Sequence, residues 1–389
     1  MDNREKFTIR SSILELSENG LPRDKSIDDK IRKDKIIGAK TIDIWDSITA
    51  LGAQLSRPPY DPYREIINLD ISVGREQCQN KVVLSMPLII YDNDVKMDEE
   101  STEILHSALN KLSIDKKTNL IFVSNKNIKD RKYPIFKRIN EKSELTINDD
   151  LEGIILKFNG HKTLELISDI KKEFPGPVLV EVDDSFESVI PSILNMNADG
   201  IIIDTIKITN KEKYKGKHAL FLIYNIRSII NQFYKGKKND GTILIAAGDF
   251  NDVGKIVKAV AIGADIIGFS TSLLIANAAR HFEGHLCADT VSNRLYKHLM
   301  ATKGELKGVP AALGYSNFFN ISYTDLRTSC IETSLELNIA IEGTDKTYRQ
   351  IIEEYVNEFA NKSDFVMDDD TKCSLIEYLS EKRSCGEGN

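Results

Sequence analysis

Seven short apolar runs punctuate the middle of the chain, at residues 82–92 (VVLSMPLIIYD), 119–124 (NLIFVS), 153–158 (GIILKF), 177–182 (PVLVEV), 199–205 (DGIIIDT), 241–248 (GTILIAAG) and 265–271 (DIIGFST). Most are continuous rather than alternating, which is how parallel strands covered on both faces read. Between them, residues 162–174 (KTLELISDIKKEF), 186–197 (FESVIPSILNMN), 218–234 (HALFLIYNIRSIINQFY) and 252–264 (DVGKIVKAVAIGA) place apolar positions at helical spacing. The order is βαβα. A weaker run at 132–139 (KYPIFKRI) makes an eighth strand. The pattern predicts an α/β chain, a (β/α)8 TIM barrel with an N-terminal extension and C-terminal helices, with an open doubly wound sheet as the alternative.

The flanks read differently. Residues 1–42 are charged and without a clean period, and are expected to form a solvated arm. Residues 43–81 form a connector, in which Pro58 and Pro59 forbid a helix and Trp45 is expected to pack against the barrel. The barrel is assigned to 82–340, with 317–338 read as mostly helical, and 341–389 to a C-terminal helical extension and tail.

Composition narrows the partners. The 389 residues suffice for one large domain with extensions, and a formal net charge of −7 offers no bulk attraction to nucleic acid or to an anionic membrane surface. A small molecule is the expected partner, with a partner subunit or homo-oligomer also allowed. Five cysteines without paired spacing read as free thiols in a reducing compartment. No run approaches transmembrane length and the start is too charged for a secretory signal, so a cytoplasmic location is expected.

The chemistry concentrates at two glycine turns. A strand, a glycine turn and a helix N-terminus point free N–H groups and a positive dipole end at an anion. Gly248 turns the chain, Asp249 or Asn251 is placed to cap a helix beginning near Asp252, and Gly268 with Ser270 and Thr271 repeats the arrangement one strand later. In barrels the loops after the seventh and eighth strands often bind phosphate. Residues 246–279, AAGDFNDVGKIVKAVAIGADIIGFSTSLLIANAA, resemble the FMN phosphate turns of the glutamate synthase large-subunit FMN domain family, of archaeal type. Residues 45–74 (WDSITALGAQLSRPPYDPYREIINLDISVG) are similar to the connector preceding that family's barrel, and residues 305–327 (ELKGVPAALGYSNFFNISYTDLR) to a segment following it.

The resemblance implies an FMN-binding barrel whose complete members reduce 2-iminoglutarate to glutamate with electrons passed through an iron–sulfur cluster. It implies cofactor contacts from Gly248, Asp249, Phe250, Asn251, Gly268, Phe269, Ser270 and Thr271, and a catalytic role for Lys157, which closes the 153–158 run. Departures all point one way. Glu181 stands where the family carries a strand lysine, and the flavin-facing glycine segments are replaced by VSNKN (123–127) and IDTIKITNKEKYKG (203–216). The cluster segment appears as HFEGHLCADTVSNRLYKH (281–298), with one cysteine, so no iron–sulfur cluster is expected. His281, His285 and Cys287 match no standard zinc spacing, and no metal is expected.

Carboxylate pairs at strand ends, Asp183 with Asp184 and Asp92 with Asp94, read first as helix caps. No nucleophile elbow and no Walker loop is present. The expected function is a divergent glutamate synthase-related, FMN-dependent oxidoreductase of amino-nitrogen metabolism. The alternatives are a noncatalytic barrel serving as a subunit or regulator, and a barrel for another phosphate-bearing ligand.

Overall fold

The computed structural model describes residues 44–53, 56–91, 99–125, 128, 130–141, 151–235, 241–270, 287–362 and 368–381. Eight parallel strands close into a barrel: Leu88–Ile90 (β1), Ile121–Val123 (β2), Ile135–Ile139 (β3), Gly153–Lys157 (β4), Val178–Val182 (β5), Gly200–Asp204 (β6), Ile243–Ala247 (β7) and Ile266–Phe269 (β8). Neighbours follow chain order around the ring, and β8 pairs with β1 to complete it. Helices Glu99–Lys116 (α1), His161–Glu173 (α2), Phe186–Asn195 (α3), Thr205–Thr209 (α4), Ala219–Phe233 (α5), Val253–Ile262 (α6) and Ala288–Leu313 (α7) lie outside. The (β/α)8 expectation holds. Among the described residues the β2–β3 and β3–β4 connections carry no helix.

The continuous apolar character of the strands follows from their two covered faces. Alternate residues Ile89, Ile121, Phe136, Ile155, Leu179, Ile202 and Ile245 fill the lumen. Their neighbours Ile90, Phe122, Ile154, Val180, Ile203 and Leu244 pack outward with the helix residues Leu105, Ile167, Ile190, Ile226 and Ile256. Each fully buried aliphatic or aromatic side chain contributes about 1.5–3 kcal/mol relative to exposure.

A hairpin closes the N-terminal end of the lumen. Ile71–Val73 pairs antiparallel with Val82–Leu84, and Val73, Val82 and Leu84 join the lumen side chains. The apolar run at 82–92 therefore splits into two strands with opposite jobs. The hairpin is locked by Asp199, fully buried before β6, whose carboxylate accepts from Arg75 N at 2.9 Å, Val178 N at 2.7 Å and Lys171 Nζ at 2.5 Å. The Arg75 guanidinium in turn donates to the carbonyls of Leu194 and Ala198.

The connector and the C-terminal segment meet on the barrel's side. Ile48–Ala50 pairs antiparallel with Leu326–Thr328, which runs parallel to Ala340–Ile341. Arg57 donates to Asp325 at 3.1 Å and to the Tyr315 hydroxyl, and lies over the Tyr315 ring. Trp45 meets His218 and Phe250 edge-on, and its carbonyl accepts from Lys258 at 2.5 Å. Residues 317–338, read as mostly helical, instead form two 3-10 turns, the Leu326–Thr328 strand and a short helix, Ile331–Leu337. Pairing with the connector strand, a long-range partner, overrides the local pattern there.

Removing the Asp199 carboxylate leaves Lys171 and two backbone donors without it inside the fold. Asp199→Ala is expected to cost about 3–5 kcal/mol. A urea unfolding curve measures this as a fall in midpoint without a change in slope.

Candidate functional site

The C-terminal ends of the strands carry the polar side chains. Just past β1, Tyr91 is fully buried, and its ring reaches across the lumen to the strand four places away, where its hydroxyl donates to Glu181 Oε2 at 2.7 Å. Leu179 and Glu181 share a face by strand alternation, so Glu181 points into the lumen above Leu179. Arg138, from β3, lies with its guanidinium carbon 4.4 Å from the centre of the Tyr91 ring and its Nε 3.4 Å from Glu181 Oε2. Lys207, on α4, approaches Glu181 Oε1 at 3.8 Å and Asp204 Oδ2 at 3.5 Å. Asp204 also caps α4, accepting from Ile206 N and Lys207 N at 3.1 Å each. This network closes the top of the lumen.

Burial, and after it the Glu181 carboxylate, push the Tyr91 phenol well above its ordinary value. Asp204 is raised, chiefly by burial, against the opposing hydrogen bond and charge of Lys207. The Tyr91 hydroxyl therefore keeps its proton and donates a hydrogen bond to Glu181.

Beside the network opens a cavity of about 440 Å³ lined by Asn125, Lys137, Arg138, Ile139, Asn140, Lys157, Glu181 and Lys207. Lys157 is opposite Glu181 in the β4–β5 register. Glu181 nevertheless makes its contacts with Tyr91, Arg138 and Lys207, and among the described residues the exposed Lys157 ammonium has no acidic partner. The lysine singled out by sequence thus does reach the mouth.

The turn after β7 lies on another part of the same rim. Gly248 has φ 157°, and a Cβ there would sit 2.1 Å from Thr205 Oγ1 and 3.3 Å from the Phe250 ring. Thr205 Oγ1 uses that space to donate to the Ala247 carbonyl at 3.0 Å. The glycine is demanded by a protein neighbour. Asp252, rather than Asp249 or Asn251, caps α6, accepting from Lys255 N at 3.0 Å. Its aspartate oxygen has the right reach because the helix starts at Val253, one residue beyond the expected point. Asp249 is exposed, with Lys255 Nζ 3.4 Å from its carboxylate. The N–H groups of Asp249, Phe250 and Asn251 find no acceptor among the described residues.

The remaining expected contacts scatter. The Phe250 side chain is buried against Trp45, and Phe269 packs outward on His298 with ring centres 5.8 Å apart, so neither ring faces the mouth. A Cβ on Gly268 would approach Ala247 Cβ at 2.7 Å and Tyr91 Cβ at 3.2 Å, so this glycine makes room for Ala247 first and for Tyr91 as well. Ser270 is half-buried directly after β8. Thr271, Asp92, Asp94, His281 and His285 lie outside the described residues. Asp183 accepts from the Ser185 N–H and hydroxyl, which outweigh burial and hold its carboxyl below the ordinary value. Among the described residues no group of three or more histidines, cysteines or carboxylates is arranged to hold a metal, and no helix is long and apolar enough to cross a membrane.

Tyr91 and Arg138 were not singled out in the sequence. The two-residue alternation of Ile89 with Tyr91, and of Phe136 with Arg138, was the available signal.

A closed parallel barrel with a polar, cavity-bearing C-terminal mouth defines the class of the molecule: a (β/α)8 barrel protein. A mandelate oxidase carrying a monooxide FMN adduct superposes with a TM-score of 0.51 at 12% identity, over 72% of this chain and 87% of that one. A second mandelate oxidase structure, with 2-hydroxy-phenylacetamide, gives 0.52 at 12% identity over 80% and 96%. The flavin-binding domain of baker's yeast flavocytochrome b2 gives 0.51 at 11% identity over 73% and 76%. At such identities the likeness is one of fold. No family model matches the sequence, and no curated protein matches it.

Gly248→Ala places a methyl group against Thr205 and is expected to cost about 1–3 kcal/mol. Thr205→Ala in the same chain removes the obstructing hydroxyl, so a double-mutant cycle should show the second change recovering part of the first. Simple additivity would mean that the turn relaxes elsewhere.

Proposed function

We propose that the chain is a glutamate synthase-like barrel of the FMN oxidoreductase type that binds a phosphate-bearing ligand at the turn after β7, with FMN the first such ligand to test. The observation that carries this reading is the set of N–H groups at Asp249, Phe250 and Asn251 without acceptors among the described residues, just ahead of the α6 N-terminus. The sequence likeness of residues 246–279 to FMN phosphate turns, and the fold shared with proteins that carry FMN, support it.

The two ends of FMN meet different surroundings. A phosphate suits the donors of the β7 turn. The isoalloxazine ring does not suit the mouth, where Tyr91 closes the lumen and the buried Glu181 carboxylate stands at the strand position at which the family this chain resembles carries a lysine. No reaction step through a flavin is therefore derived from these residues. Glu181 favours the second reading, a barrel that binds without running the complete glutamate-forming reaction and serves as a subunit or regulator.

FMN and riboflavin differ by the phosphate alone. Fluorescence titration of the full chain is expected to show FMN bound at least about tenfold more tightly than riboflavin, the equivalent of about 1.4 kcal/mol, with inorganic phosphate competing. Equal binding of the two would remove the phosphate turn from the account. Binding of neither would end the flavin reading.

A further inference from the structure

The mouth cavity has an excess of positive charge. Among the described residues Lys137, Arg138, Lys157 and Lys207 line it against the single carboxylate of Glu181. Two of these cations, Arg138 and Lys207, are already engaged with that carboxylate. Among the described residues Lys157 has no acidic partner, although the β4–β5 register places it directly opposite Glu181. A concave site lined by one sign of charge focuses the field and concentrates counter-ions. At about 440 Å³, the cavity is within the size range of small-molecule sites.

The donor types narrow the anion. A planar carboxylate is best matched by the bidentate fork of an arginine, but the Arg138 guanidinium is spent on the Tyr91 ring and on Glu181. What the cavity offers in addition is lysine ammonium, a compact charge with donors that rotate, together with the amide of Asn125. A rotating ammonium beside a neutral amide donor suits a tetrahedral oxyanion.

We propose that this cavity, independently of the β7 turn, is a binding site for a phosphate-type oxyanion, either free or as a phosphate monoester, with Lys157 as its principal cation. The Glu181 carboxylate does not oppose this, because one phenol and two cations already satisfy it. Tyr91 then acts as the floor support that keeps Glu181 turned inward and away from Lys157.

The test is calorimetric titration of the full chain and of Lys157→Gln, at constant ionic strength, with inorganic phosphate, glycerol phosphate and malonate. Lys157 is exposed at a strand end, so the variant is expected to fold, and coincident thermal unfolding of the two chains checks it. Phosphate affinity is expected to fall about tenfold or more in Lys157→Gln, the usual size of a lost charged hydrogen bond. Tighter binding of glycerol phosphate than of phosphate would assign the site to a monoester, and the reverse order to the free ion. Unchanged phosphate affinity in Lys157→Gln, or malonate binding more tightly than phosphate, would overturn the proposal. Lys157→Gln leaves the β7 turn intact, so an FMN preference over riboflavin that survives in this variant belongs to the β7 turn and one that is lost with Lys157 belongs to the mouth cavity. Each site can then fail without the other.

Discussion

Closing eight parallel strands creates a lumen that side chains must fill from end to end, and nearly every feature of this molecule answers that demand. The middle is filled by Phe136, Ile155, Leu179, Ile202 and Ile245. Below, the Ile71–Leu84 hairpin brings Val73, Val82 and Leu84 in from outside the barrel, and Asp199 pins it there. Above, where the strands end in solvent, a purely apolar plug would be exposed. The chain uses Tyr91 instead, an apolar ring with a polar tip, and supplies Glu181 to receive the tip.

That choice sets the chemistry of the mouth. A buried phenol needs an acceptor, and a carboxylate placed to accept it needs compensating charge. Arg138 and Lys207 provide that charge, and Asp204 holds Lys207 on the first turn of α4. Gly268, on the adjacent strand β8, leaves space beside the Tyr91 Cβ. The mouth is consequently a salt-linked network with a basic cavity at its side, and not an open bed of glycines beneath a flat ring. The donors of the β7 turn stand apart from this network, which is why a phosphate and a flavin ring receive different answers from the same barrel.

Much of the fold was legible in the chain. Continuous apolar runs separated by helical spacing reported strands buried on both faces, and even the weak run at 132–139 contains a barrel strand, Ile135–Ile139. The misreadings arose where a distant partner decided the outcome. Residues 82–92 looked like one strand, yet Val82–Leu84 follows the hairpin partner Ile71–Val73 while Leu88–Ile90 follows β8 and β2. Residues 317–338 looked helical, yet Leu326–Thr328 is claimed by the connector strand Ile48–Ala50.

The site divides along the same line. Sequence alone determined that strand, glycine turn and helix follow one another at β7, that Lys157 closes a strand, and that Glu181 lies within one, because these depend on local periodicity. Only the tertiary structure decided that Gly248 makes room for Thr205, that Gly268 makes room for Tyr91, and that Phe250 and Phe269 turn away from the mouth. It also brought Tyr91 to Glu181 across 90 residues of chain. A side chain's neighbours across a closed barrel are set by ring closure and register, and neither is written in any one segment.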